Sequence, residues 1–386
     1  MKLYLCDKDD DHHFKDIRPE LLAFDTETDG RDYLRAGPEA VTHLSWAIDG
    51  DSGYVARIDS VPETVLAWLE DRSIMKTAHN AAFDIKAVSV ALGLRVDPCR
   101  DTMLLIHLID PASRSVVPRG LKPWGRQVGM PYWNAPLERW QEERHYQGNP
   151  RAKWPTTSSA PWPPPDSIKL PYAAADSLAT WRLDSHLMST LKNRATGSYG
   201  LLRGLLEMYS KAIPVFARME LNGYAMDLDK VEEIISTNEG IMDQAGVAIL
   251  PHLGVRPGDK DWTEKFIRSH AQISEWLKIR RLRVLKKTKK GNPSTDDDVM
   301  KALLTKTKEG SVEHTVIQAI VDYRQAKGRS DKLKKYRDEC IDGILQTGFG
   351  FDRARSGRTG ASPNSQNPDR QGGIRDCFVS RWRTKE

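Results

Sequence analysis

The chain has four cysteines in 386 residues, at positions 6, 99, 340 and 377, with no Cys-x-x-Cys pair among them. That spacing excludes the zinc-ribbon and dithiol redox sites built on such pairs. The four read as reduced thiols of a cytoplasmic protein. The ten histidines form no cluster with cysteine, so no zinc site competes for a hydrolytic role. Long apolar runs are missing too. Nothing approaches the roughly 18 residues needed to span a bilayer, and the first residues lack the apolar core of a secretory leader. There is no internal repeat. A large excess of one charge sign is missing as well: 58 Lys and Arg against 53 Asp and Glu leave a formal net charge of +5, which permits a nucleic-acid partner without requiring one.

What is present suffices for two or three domains with sizeable cores, since 39% of the residues are hydrophobic, with 11 Trp and 11 Tyr. Segments 21–26, 42–48 and 53–58 read as strands joined by polar, Gly-containing turns. Segment 62–70 reads as a helix, 74–78 as a strand, and 81–92 and 101–110 as helices. That mixture predicts a layered α/β domain over 1–195. Segment 131–171 is rich in Pro and Trp and has no period. It reads as an ordered insertion, a lid or protein contact, or a Pro-rich linker. A strong helix follows at 170–191, with Pro171 suited to a first turn. Beyond a break at 196–200 the composition turns mainly helical over 200–349, at 205–235 with a stop at Gly223, 262–270, 272–285, 296–306 and 312–345. A tail, 350–386, shows no clear period.

Several acids stand out. The apolar run 21–24 reads as a buried strand that ends in Asp25 and Glu27, and a strand's period of two puts both carboxylates on one side. Side by side they repel and resist joint ionisation. The stretch His79-Asn80-Ala81-Ala82-Phe83-Asp84 supplies Asn80 and Asp84. Tyr172 and Asp176 lie one helical turn apart and share a face. Taken singly these read as a solvated strand end, a helix cap and an ordinary helix face. Taken together, four carboxylates need cations, and an oxygen-only set suits Mg²⁺ or Mn²⁺. Two such ions about 3.5–4 Å apart activate a water and stabilise a leaving 3′-oxygen in phosphodiester cleavage.

The stretches FDTETDG (24–30), HNAAFD (79–84) and YAAADSLAT (172–180), in this order, resemble the three motifs of the DEDDy 3′–5′ exonucleases. DTMLLIHLIDP (101–111) resembles the helix between their second and third motifs. The resemblance implies an RNase H-like fold. It also implies that Asp25, Glu27 and Asp176 hold the nucleophile-activating ion and that Asp25 bridges to a second. Asp84 would assist through water, Tyr172 would position the attacking water, and Asn80 and Phe83 would contact the terminal nucleotide. Arg31 stands where related enzymes often carry an apolar wedge.

The second half carries a further resemblance. Residues 207–234 are similar to the opening of the polymerase region of family A DNA polymerases. Residues 278–304 resemble its thumb, with Lys278, Arg280, Arg281, Arg283, Lys286, Lys287, Lys289 and Lys290 unbroken by any acid over 278–290. Such a run neutralises phosphates, or is a solvated helix face. Leu282, Val284 and Leu285 could pack beneath it. Residues 321–336 resemble the helix returning from the thumb. Residues 356–379 resemble the start of the palm, which implies that Arg358, Asn364 and Gln366 lie near the primer–template duplex. The polymerase metal-binding carboxylates and the fingers motif are not in this sequence.

The expectation is therefore a proofreading 3′–5′ exodeoxyribonuclease with two divalent ions and a basic, thumb-like helical region, followed by a truncated palm over 350–386. It would release nucleoside 5′-monophosphates in a bacterial or phage-infected cytoplasm. Without a 5′-nuclease domain the layout is phage-like. Synthesis would need a second polypeptide supplying palm and fingers. The same ending would fit a truncated gene product, or an exonuclease that kept a thumb as a DNA-holding arm. The rival functions are an RNase D-like exoribonuclease and a non-catalytic DNA-binding subunit.

Overall fold

The computed structural model describes residues 1–110, 119–146, 164–194, 199–253, 260–284, 286–288, 291–351, 358–363, 365, 368 and 372–379. The chain divides into two compact units, residues 1–223 with 347–364, and residues 224–346 with 365–386. The break expected at 196–200 thus falls inside the first unit, and so does the boundary expected at 349/350.

The first unit is built on a mixed sheet in the order β1 (Lys2–Leu5), β4 (Ser52–Arg57), β3 (Val41–Ala47), β2 (Leu21–Thr28), β5 (Met75–Ala78), β6 (Cys99–Asp101). β2 is central, antiparallel to β3 and parallel to β5. Its side chains alternate between two buried layers. Leu22 and Phe24 pack in the layer that includes α2 (Glu63–Glu70) and α3 (Ala81–Leu92). Ala23 packs in the opposite layer, with α7 (Asp166–Arg194). Each fully buried aliphatic or aromatic side chain contributes roughly 1.5–3 kcal/mol, so this alternation fixes the register of β2.

α7 is longer than the sequence period suggests. It starts at Asp166, so Pro171 sits in its second turn rather than its first. Ala173, Ala174 and Ala175 are fully buried. These small residues let the helix lie against β4, where a Cβ at Gly53 would stand 2.2 Å from the Ala174 carbonyl oxygen. The buried Asp184 of α7 accepts from Arg100 Nε and Nη2 at 2.9 and 2.7 Å and from Thr77 Oγ1 at 3.0 Å. These bonds pin the helix to β5 and β6.

The remaining helices of this unit are α1 (Tyr33–Ala36), α4 (Thr102–Ile109), α5 (Leu121–Gln127), α6 (Ala135–Tyr146) and α8 (Tyr199–Asn222). α6 occupies part of the segment read as an ordered insertion or a Pro-rich linker, and 147–163 lies outside the described residues. On α8, Glu220 Oε2 accepts from Lys86 Nζ at 2.5 Å, and its Oε1 takes the Phe349 N–H at 2.5 Å. Phe349 belongs to β10 (Gly348–Gly350), antiparallel to β11 (Gly360–Ser362).

The second unit centres on the long pair α9 (Leu228–Leu253) and α13 (Val312–Glu339), with α10 (Lys260–Arg268), α11 (His270–Ile279) and α12 (Asp297–Leu304). Ile249, Ile273, Met300, Val316 and Ile320 form one core. A second core of Val231, Leu333, Tyr336 and Leu345 covers a three-stranded sheet, β7 (Tyr224–Ala225), β9 (Ile344–Leu345) and β8 (Cys340–Ile341).

Two expected helices end early. The one expected over 272–285 stops at Ile279, because Arg281 takes a φ of +57°. The chain then turns back on itself, with Ser294 N–H to Lys286 O at 2.8 Å and Gly291 at φ +82°. The one expected over 312–345 stops at Glu339. Asp342 and Gly343, at φ +49° and +74°, make the two-residue turn that joins β8 to β9 and favours this Asp-Gly pair. No helix among the described residues is long and apolar enough to cross a membrane.

Candidate active site

Alternation along β2 decides which acids meet. Asp25 and Glu27 share the parity of Ala23 and face α7, which delivers Asp176. Among the described residues, Asp25, Glu27 and Asp176 form one cluster in which a carboxylate oxygen of each lies within 4.8 Å of the others. Asp84 arrives on α3, from the other layer, and is not part of that cluster. Its Oδ1 instead accepts the N–H of Thr26 at 2.9 Å and the Thr26 hydroxyl at 2.7 Å. Thr26 has the parity of Phe24, so the residue between the two strand acids is the one that fixes the second motif's carboxylate.

The electrostatics follow from this crowding. Burial, then the charge of Asp84, pushes Asp25 well above the usual carboxylate range. Burial and the charge of Asp176 raise Glu27 to about 8. Asp84 is raised to about 7 by burial, against the pull of its Thr26 bonds. The Tyr172 hydroxyl is raised by burial and by the charges of Asp176, Glu27 and Asp25, which places it against the cluster.

Sequence reasoning missed the ammonium that pairs with the cluster. Lys122 of α5 binds both oxygens of Asp176, and its Nζ lies 4.3 Å from the centre of the Tyr172 ring. Trp133 Nε1 donates to Asp176 Oδ1 at 2.5 Å. Neither residue belongs to a readable motif. Each comes from chain far from the acids, and only the fold brings them near.

Asp101 was a second omission, although an Asp before an apolar helix is a cap signal. It caps α4, accepting from Met103 N–H at 2.9 Å. It also accepts the N–H groups of Asn80 at 3.0 Å and Ala81 at 3.2 Å. This holds Asn80 in the left-handed region, at φ +67°, at the start of α3. Phe83, 38% exposed, packs edge-on to Tyr33, whose hydroxyl donates to the Phe83 carbonyl at 3.1 Å. Arg31 folds back on Asp29 at 2.5 Å.

Of the described residues of the basic run, Lys278 lies in the last turn of α11, and Arg280, Arg281, Arg283, Lys286 and Lys287 follow that helix. Arg280 faces Glu313 at 3.4 Å and Lys286 pairs with Asp296 at 2.7 Å. Arg281, Arg283 and Lys287 are exposed, as is Arg358 in the first unit. Leu282 and Val284 pack on the helical core beneath. Lys289, Lys290, Asn364, Gln366 and Leu285 lie outside the described residues.

No protein-family model matches the sequence, and no curated protein does either. Among solved structures, the fold is similar to the POL domain of Pol1 from M. smegmatis in complex with a DNA primer-template and dNTP. That match has a TM-score of 0.69 and 20% sequence identity, covers 98% of this chain, and spans 58% of the other.

Proposed function

We propose that this chain is a divalent-metal-dependent 3′–5′ exonuclease that removes nucleotides from DNA 3′ ends. The observation that carries the reading is the convergence of Asp25, Glu27 and Asp176 within 4.8 Å, beside Tyr172 and backed by Asp84. Three carboxylates facing one ammonium are under-neutralised, and an all-oxygen donor set of this kind fits a hard divalent cation. Asp25, Glu27 and Asp176 would hold it. When bound, such ions supply an activated water and stabilise the leaving 3′-oxygen.

The chain's own groups do the rest. Thr26 locks Asp84 by two hydrogen bonds. The raised Tyr172 hydroxyl keeps its proton at neutral pH and can orient a water. Asn80 and Phe83, exposed at the start of α3, would meet a terminal nucleotide. The likeness to a polymerase domain bound to primer-template favours DNA over RNA and supports a DNA-holding role for the basic helical unit.

The test uses a 5′-labelled primer annealed to a longer template, with Mg²⁺ and all four dNTPs, comparing the wild type with Asp25→Ala. A ladder of shortened primers that disappears in the variant is expected, with the rate falling on the order of 10³-fold. No shortening, or shortening that survives the substitution, would overturn the reading. Preferential degradation of an RNA primer would replace DNA by RNA as substrate.

A further inference from the structure

We propose that Lys122 is a ligand of the scissile phosphate, parked on Asp176 until metal ions take its place. The inference rests on the exonuclease reading above. Lys122 is no loose surface lysine. Its neighbour Leu121 is buried in the core shared with α7. Its helix is braced against Trp133, whose ring would lie 2.4 Å from a Cβ at Gly125. Trp133 in turn bonds the same Asp176 oxygen that Lys122 holds. The ammonium lies 4.3 Å from the Tyr172 ring centre and 5.2 Å from that of Trp133, so two aromatic faces confine it. Its side chain is still 24% exposed, which leaves a way in for a substrate.

Charge decides what this lysine is for. Two divalent ions would neutralise Asp25, Glu27 and Asp176 together with the nearby Asp84, and Lys122 would then carry one surplus positive charge. A single phosphodiester is its complement. Metal ions and Lys122 compete for Asp176, so loading the site would release the ammonium toward the incoming phosphate. In the cleavage itself the water oxygen bonds to phosphorus, and the P–O3′ bond breaks with its electron pair on the 3′-oxygen. The water's proton passes to solvent, and the 3′-oxygen takes one from solvent. Lys122 keeps its protons throughout and donates a hydrogen bond to a non-bridging oxygen, where charge accumulates.

The experiment titrates Mn²⁺ into DNA-free wild type, Lys122→Met, Lys122→Arg and Asp25→Ala, followed by electron paramagnetic resonance. Turnover of a single-stranded oligonucleotide is measured in parallel at saturating Mn²⁺. Lys122→Met is expected to bind Mn²⁺ about tenfold more tightly, because its competitor is gone, while kcat falls on the order of 10²-fold. Lys122→Arg should recover most of kcat. A structural brace would behave otherwise: Lys122→Met would then lose metal affinity together with kcat, and that result overturns the proposal, as does an unchanged kcat. Should Lys122→Met not fold, the Arg variant decides. Turnover within about tenfold of wild type supports a charge role, and collapse with weakened Mn²⁺ binding overturns it. If wild type binds no Mn²⁺ beyond Asp25→Ala, the exonuclease reading itself has failed.

Discussion

At the residue scale, the site holds acids against their nature, and stability should record it. Glu27 and Asp84 titrate near 4 in an unfolded chain but at about 8 and about 7 in the folded one. Between those values the folded protein binds more protons than the unfolded, so its stability falls as pH rises. The contribution is complete below about pH 4 and is lost as pH passes 7 to 8. His43 and His79, both lowered to about 4 by burial, act in the opposite sense. Their stabilisation is complete above about pH 6.5 and is lost as pH falls toward 4. In EDTA the thermal midpoint should therefore be highest between these limits and drop from pH 6.5 to 8.5. Mg²⁺ or Mn²⁺ binds the folded state alone and should recover the loss at the alkaline end. A midpoint that climbs to pH 8.5 in EDTA would show that the carboxylates are not confined together.

At the element scale, the geometry depends on how closely α7 lies on the sheet. Gly53 has no room for a methyl group, because the obstacle is the Ala174 backbone oxygen at 2.2 Å rather than a movable side chain. Ala174 sits between Tyr172 and Asp176 on the same helix. Gly53→Ala should thus cost about 2–3 kcal/mol, as overpacking does, and should lower turnover by moving both site residues off β2. Chemical denaturation and a nuclease assay measure the two effects. An unchanged rate would mean that α7 does not set the site. Strand β2 and helix α3 were legible from apolar period alone, and so was the one-sided pairing of Asp25 with Glu27. The opposite parity of Thr26, and hence its hold on Asp84, follows from the same period but is visible only once α3 is placed. Lys122 and Trp133 were illegible, since their role depends on long-range packing. α6 escaped notice because its apolar residues follow no period. The Asp342-Gly343 turn was readable from composition, yet the helical period before it masks the signal.

At the scale of the whole molecule, the first unit carries the acid cluster of Asp25, Glu27 and Asp176, and the second carries basic residues that follow α11. Of the described basic residues after α11, Arg280 and Lys286 are committed to Glu313 and Asp296, while Arg281, Arg283 and Lys287 are exposed on a turn anchored by Leu282 and Val284. Exposed charge on a segment held by the half-buried Leu282 and Val284 suits phosphate binding. Each phosphate neutralised releases condensed counterions, so the logarithm of affinity falls with the logarithm of salt by about 0.9 per contact on duplex DNA. Replacing Arg281, Arg283 and Lys287 together by Ala should weaken binding to a primer–template and flatten that slope by about 2–3. Cleavage of a short single-stranded oligonucleotide at saturation should hardly change, because the carboxylate cluster lies in the other unit. Fluorescence anisotropy across a salt series reads the slope. If it stays the same, the run is a solvated face, and duplex DNA is held elsewhere.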